Sequence, residues 1–512
     1  MKILRSVLFF LAACLIFLAL SHRGTETRVS AAAPALIPNA SVRSFLPLIS
    51  NPSPVSYSPL WRFGTDKVRR PFSAYNPADL SNMRFGWYID FSTTDNPETF
   101  SGMDYVPVVN MKLWKQMPDG TQTLCCVGCA YTVPATYVTY PPVNALPSMA
   151  AAHPGRTWIV GNEQERIDTG TGSACASQNE MVPEVYAQVY HDVYFALKSG
   201  DSTAQIAFGP MVQPSPLRIE YLNRVWAEYT RRYGGTMPVD VWSVHIYVYN
   251  EQKGAWGADI PAGLSETSGT IRQIQDTKNF AIAAQLIVGW RTWMRDHGQQ
   301  NKPLITPEYG ANLPDWILDD NGNPLFTPPQ IRDSYLYPSF DYFLNHTDAS
   351  IGFPADGNRL VQRWAWWSMD FDDGTCIDAN TYHLLNSGAL FYSGLGPSAP
   401  PANCPVPSQG LAPLGNYWIA YVKGLPAGRA KPYAPVRSPV TAGQSASVPS
   451  SVSASADSAI VKYADQSELC SDSPEVRTRF LQTLPNRNTP EGQQAWIRAL
   501  SALSAGTRIC MQ

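Results

Sequence analysis

Two glutamates hold the chemistry this sequence offers. Glu163 follows the apolar run Trp158-Ile159-Val160 and the turn-permitting Gly161, and Glu308 follows Leu304-Ile305-Thr306-Pro307. Two carboxyls that converge on one bond can divide the work between them: one protonates the leaving oxygen, and the other attacks or activates water. Asn162 adjoins Glu163. His245 and Tyr247 are two residues apart, so in an extended segment they share a face. A lone glutamate at a strand end more often caps a helix or pairs with a neighbour such as Arg166. The second glutamate in an equivalent place lifts this pair out of that default. Glu165, Arg166, Asp168 and Asp370 are read as solvated loop charge, and His245 taken alone would be an ordinary core histidine.

For the two carboxyls to meet, the strand ends must converge. Short apolar runs are predicted as strands at Arg84 to Phe91, Tyr105 to Asn110, Trp158 to Val160, Ile206 to Val212, Val239 to Tyr247, Leu304 to Tyr309 and Val361 to Ser368. Amphipathic stretches between them predict helices from Pro183 to before Gly200, from Pro216 to Gly234, and around 271–297, 331–345 and 411–423. Residues 112–154 show no assignable pattern beyond a short helix near Asn144 to Ala152. Alternation of this kind indicates a parallel sheet, and the number of repeats favours a closed (β/α)8 TIM barrel over residues 76–430. The C-terminal ends of its strands would gather Asp90, Asn110, Asn162, Glu163, His245, Tyr247, Glu308 and the run Trp364 to Trp367. Of that run, Trp366 is the choice for a platform on which a flat ligand face could stack.

Composition narrows the alternatives. A net charge of −3 with no long basic run leaves no electrostatic footprint for nucleic acid. Only seven His occur and none forms His-Glu-x-x-His, so a metallohydrolase is disfavoured, and no Gly-x-Ser-x-Gly elbow or dinucleotide glycine fingerprint is present. No cofactor or metal is expected. Lys2 and Arg5 precede an apolar run from Val7 to Leu20, which is the layout of an export signal. Residues 1–30 are therefore read as a signal or anchor leading to a secreted or envelope-associated, extracytoplasmic monomer. Attachment to a membrane or cell envelope through Cys14 or an uncleaved segment is the alternative. Residues 31–75 and 431–457 have linker composition, and 458–512 read as a small helical module whose caps are Ser473-Pro474-Glu475 and Thr489-Pro490-Glu491.

Nine cysteines, less Cys14, leave an even number for an oxidising compartment. Sequence order suggests Cys376 with Cys404 and Cys470 with Cys510, the latter a staple for the C-terminal module. Cys125, Cys126, Cys129 and Cys175 could form two more bridges, with their pairing open. Zinc at that cluster lacks a second ligand pair.

Several of these motifs together resemble the retaining glycoside hydrolases of clan A, and within them the fungal-type, Asl1-like glycosyl hydrolase catalytic cores. The resemblance lies in Gly161-Asn162-Glu163-Gln164, in Lys302-Pro303-Leu304-Ile305-Thr306-Pro307-Glu308-Tyr309-Gly310, and in Val239 to Tyr247 ending His-x-Tyr. Arg84 to Asp90 and Ala365-Trp366-Trp367-Ser368 complete it. Gln164 stands where that family usually has Pro, and Pro307 where it usually has Thr. The resemblance implies β-glycosidic bond cleavage in oligo- or polysaccharide by double displacement. Glu163 would be the acid/base, Glu308 the nucleophile, Asn162 a donor to the sugar 2-hydroxyl, and Tyr247 the partner that keeps Glu308 ionised. The acid/base would then carry a raised pKa, and the two carboxyls would lie about 5 Å apart. A carbohydrate-binding pseudoenzyme on the same barrel and a cell-envelope structural or adhesion protein are the alternatives.

Overall fold

The computed structural model describes residues 59–427 except 125, 127, 168–177, 372–374, 379–380, 385 and 395–403, together with 431, 433–435, 470–471 and 509–510. The expected signal, the N-terminal part of the linker, Asp168, Cys175 and nearly all of the C-terminal module lie outside the described residues. Among the described residues no helix is long and apolar enough to cross a membrane.

The fold is mixed α/β with a curled parallel sheet. Six strands run in the order Trp242–Ser243, Leu304–Tyr309, Arg363–Trp366, Phe63–Asp66, Trp87–Ile89 and Asp104–Tyr105, every neighbouring pair parallel. A second sheet aligns Gln205–Phe208, Thr157–Val160 and Val108–Leu113 in parallel and adds Tyr137–Tyr140 antiparallel at its edge. The two sheets meet where Ala207 pairs with Val241 in parallel.

Alternation along each strand sorts side chains into two cores. Ile89, Val108, Ile159, Ala207, Val241, Ile305 and Ala365 pack together on the concave side. Their neighbours Tyr88, Trp158, Val160, Ile206, Phe208, Trp364 and Trp366 pack outward against the helices. Gly64 supplies the concave position of its strand, where a Cβ would stand 2.4 Å from the Trp87 ring. The covering helices follow their sequence signals. Pro183–Gly200 and Pro216–Tyr233 each begin with proline at the first helical position. Ser215 caps the second of these by accepting from Arg218 N at 3.3 Å, and Gly234 closes it in the left-handed region at φ +69.

Two expectations are corrected, and a stretch left without assignment gains strands. The linker predicted over residues 31–75 ends sooner, because Phe63–Asp66 is a strand held between Arg363–Trp366 and Trp87–Ile89. Its sequence Phe-Gly-Thr-Asp has no apolar run to betray it. The unassigned stretch 112–154 contains Tyr137–Tyr140 and three short antiparallel strands at Lys115–Gln116, Gln122–Thr123 and Ala130–Tyr131, too short for a periodic signal. The strand predicted at Val239 to Tyr247 keeps β pairing only over Val241 to Ser243, as a bridge at Val241 and a ladder at Trp242–Ser243. Side-chain alternation nevertheless continues beyond it, with Val244, Ile246 and Val248 outward and Tyr247 and Tyr249 on the other side. Among the cysteines, Cys126 pairs with Cys129, and Cys470 lies opposite Cys510 on short antiparallel strands.

Candidate active site

Thr157–Val160 delivers Glu163 through a turn that the sequence makes possible at two points. Gly161 takes φ +93, a conformation that L side chains rarely adopt, with Met111 and Asn179 packed 3.2 and 3.3 Å from where a Cβ would be. Glu163 itself sits at φ +43, uncommon for a residue with a side chain, and backbone outliers of this kind cluster at functional sites. The turn is held by Glu163 N donating to Pro210 O at 2.9 Å and by Asn162 N donating to Asn179 Oδ1 at 2.7 Å. Asn179 in turn donates to Asn110 Oδ1 at 3.2 Å. Gln164 is fully buried and donates to Gly209 O at 2.9 Å, tying the turn to the next strand.

Glu308 reaches the concave side by a different device. The register between Leu304–Tyr309 and Arg363–Trp366 shifts between Thr306 and Tyr309, so the chain there carries one residue more than its partner. Ile305 packs inward and Tyr309 outward, although residues four apart in a regular strand would share a face. The bulge turns Glu308 inward. Pro307 falls within it, where the missing N–H leaves no ladder donor unpaired.

The two glutamates meet across His245. His245 Nδ1 lies 3.1 Å from Glu163 Oε1, and its Nε2 lies 3.8 Å from Glu308 Oε2. One donor atom from each of the three residues falls within 4.8 Å of the other two. Tyr247 donates to Glu308 Oε1 at 2.6 Å and stacks on Tyr249, ring centroids 4.8 Å apart. All of these side chains are buried, Glu163 at 3% and Glu308 at 8% exposure. His245 Nε2 and Asn162 Oδ1 are buried with no hydrogen-bond partner among the described residues. Three buried oxygen and nitrogen donors at this spacing would also suit a divalent cation of the zinc type.

The electrostatics reverse the expected division. Burial alone would raise the Glu163 carboxyl, but Arg166, donating to Oε2 at 2.8 Å, and His245 outweigh it and hold Glu163 down at about 2. Burial pushes Glu308 up to about 7, and neighbouring Glu163 adds to the rise against the pull of His245 and the Tyr247 hydrogen bond. His245 is itself raised, burial being outweighed by the two carboxylates on either side. The two glutamates therefore titrate as one coupled pair. The largest pull lowering Glu163 comes from Arg166, which the sequence reading left in solvent.

Other expected site residues sort differently. Asp90 accepts from Tyr105 Oη at 2.9 Å and from Ser92 N at 3.1 Å. It continues the outward alternation of Tyr88 and has no hydrogen bond with the glutamate group. Asn110 donates to Phe91 O at 2.8 Å and supports Asn179, so it acts two hydrogen bonds away from Asn162. Trp366 is fully buried on the outward side, edge-on to Tyr309 and donating to Gly388 O at 2.6 Å, and is no platform. Counting from inward Ala365, the indole on the site side is Trp367, which packs with Tyr247, Tyr249 and Phe371 and whose Nε1 is buried with no hydrogen-bond partner among the described residues. Trp366→Ala is accordingly expected to cost about 3–5 kcal/mol in denaturant unfolding as a core truncation. Glu165, Arg166 and Asp370 are buried, not solvated: Glu165 accepts from Arg218 Nε at 2.9 Å, and Asp370 accepts from Arg70 Nε at 2.6 Å. Tyr249 and Trp367 were readable from the two-residue period. Asn179 and Arg166 gave no comparable signal.

No family model and no curated protein sequence matches the chain. Among solved structures, it is similar to a GH128 (subgroup II) endo-β-1,3-glucanase from Sorangium cellulosum, at 13% identity and TM-score 0.35, over 70% of this chain and 98% of that one. It is also similar to a glucosidase from Croceicoccus marinus, at 11% identity and TM-score 0.32, over 62% of each chain. A family 51 α-L-arabinofuranosidase from Bifidobacterium longum matches at 10% identity and TM-score 0.34, over 72% of this chain and 74% of that one. These structural neighbours are glycoside hydrolases, and at such distance the likeness carries no weight on substrate or mechanism.

Proposed function

We propose that the protein is a retaining glycoside hydrolase acting on β-glycosidic bonds of an oligo- or polysaccharide outside the cytoplasm, built on a closed (β/α)8 barrel in which the Ala207–Val241 bridge joins the two sheets. One observation supports this above the rest: Glu163 and Glu308, from strands far apart in sequence, face each other with His245 between them and donor atoms within 4.8 Å. That spacing suits direct attack on the anomeric carbon better than the wider gap that leaves room for a water. Glu308, fixed by Tyr247, is the nucleophile in this scheme, and Glu163 protonates the leaving oxygen and then activates water. Trp367 supplies an apolar face to the sugar.

The reaction needs one proton on the pair. In the free site the electrostatics favour that proton on Glu308, so binding must favour its transfer to Glu163, and His245, with one nitrogen toward each carboxyl, is placed to carry it. The electrostatics favour one rival assignment, in which Glu308 is the acid and Glu163 the nucleophile. Both share a pH dependence. The singly protonated pair exists between about 2 and about 7, so kcat/KM is expected to hold up to neutrality and fall above about pH 7 as the last proton leaves. A pH–rate profile rising from pH 7 to 9 would contradict it. The function itself is tested by a hydrolysis screen on β-glucans, xylans, mannans and galactans, with the anomer of the first product followed by NMR. Retained configuration is expected. Binding without turnover in the wild type would instead support a pseudoenzyme.

A further inference from the structure

The geometry points to an acidic sugar as the substrate: we propose that Arg166 recognises a uronate carboxylate beside the scissile bond, an assignment that rests on the glycosidase reading above. Arg166 Nη1 donates to Glu163 Oε2 at 2.8 Å while Glu163 Oε1 faces His245 Nδ1 at 3.1 Å. Each oxygen of the carboxyl that must protonate the leaving group is thus already engaged. Arg166 cannot retire far, because its own N donates to Glu163 O at 3.0 Å and fixes the turn. Its side chain is only 10% exposed.

The consequence follows from charge. Once Glu163 takes up a proton, the guanidinium beside it loses its counter-ion, and a buried cation left unpaired is costly. Among the described residues the nearby acids are committed elsewhere: Glu165 accepts from Arg218, and Glu308 accepts from Tyr247 and faces His245. A neutral sugar brings only hydroxyls. A uronate brings a planar carboxylate that matches the guanidinium fork through two parallel hydrogen bonds. Arg166 then exchanges one anion for another, and Glu163 is released to hold its proton.

The test compares glucuronate, mannuronate and galacturonate oligosaccharides with their neutral parent oligosaccharides, using wild type, Arg166→Ala and Arg166→Lys. The ratio of kcat/KM for the acidic series to that for the neutral series is expected to fall on the order of 100-fold in Arg166→Ala and to recover in part in Arg166→Lys. A merely structural Arg166 would depress both series alike and leave the ratio unchanged, which would overturn the proposal, as would a wild type that prefers neutral chains. If neither series is hydrolysed, calorimetry on the same oligosaccharides decides. Acidic binding that Arg166→Ala abolishes upholds the proposal, and its absence in the wild type overturns it. Failure of the glycosidase reading shows separately, as hydrolysis of either series that survives Glu308→Ala.

Discussion

Glu308→Ala is expected to lose hydrolysis by roughly ten-thousand-fold or more, as removal of a nucleophile does when no other group can form the covalent bond. Glu163→Ala is expected to lose about 10²–10⁴-fold on substrates with poor leaving groups, and much less where the leaving group needs no proton. The two variants differ further in what azide does to them. In Glu163→Ala, azide attacks the glycosyl-enzyme and gives a product of retained configuration; in Glu308→Ala it fills the space of the missing nucleophile and gives the inverted product. The readout is the anomer of the glycosyl azide by NMR. The opposite pairing of variant and anomer would assign the acid to Glu308, the division that the free-site electrostatics favour.

A large effect on stability is also expected at Arg218. Its guanidinium is fully buried, donates to Glu165 Oε1 at 2.9 Å and to Ala258 O at 2.9 Å, and is paired with Glu251. Glu165 and Glu251 are also fully buried. Arg218→Met leaves two carboxylates without their shared cation and is expected to cost about 3–5 kcal/mol, read as a lowered urea midpoint at unchanged slope. Replacing all three by apolar residues of similar volume should recover only part of that loss, because it removes the unpaired charge but leaves Val212 N and Thr270 N without their carboxylate acceptors. Glu165 also accepts from Val212 N at 2.8 Å and belongs to the turn that carries Glu163, so the single variant should lose activity as well.

What the sequence revealed and what it hid divide along one line. Elements whose apolar runs were continuous were readable. Leu304–Tyr309, Pro183–Gly200 and Thr157–Val160 lie where their patterns put them, and the glutamates they deliver do meet. Phe63–Asp66 was missed because a four-residue strand with Gly at its concave position has no periodic signal, and its place in the sheet comes from pairing on both sides. Trp366 was preferred over Trp367 because composition alone does not count inward from Ala365. The charge on Glu163 was hidden more deeply. It depends on a turn that folds Arg166 back onto a residue three positions earlier, a contact with the same spacing as countless exposed loop pairs. Only its burial makes it count. The bulge that turns Glu308 inward was equally silent, although Pro307, a residue unsuited to a regular central strand, was its one trace.

The central claim is that Glu308 forms a covalent bond to sugar while Glu163 serves as acid and base. It is tested most directly by incubating the protein with activated 2-deoxy-2-fluoro-β-glycosides, which stall hydrolysis after the first displacement, and locating the label by peptide mass spectrometry. A glycosyl adduct on Glu308, absent in Glu308→Ala and slower to form in Glu163→Ala when the leaving group needs a proton, is the predicted result. A label on Glu163, or hydrolysis without any adduct that persists after both glutamates are replaced, would contradict it.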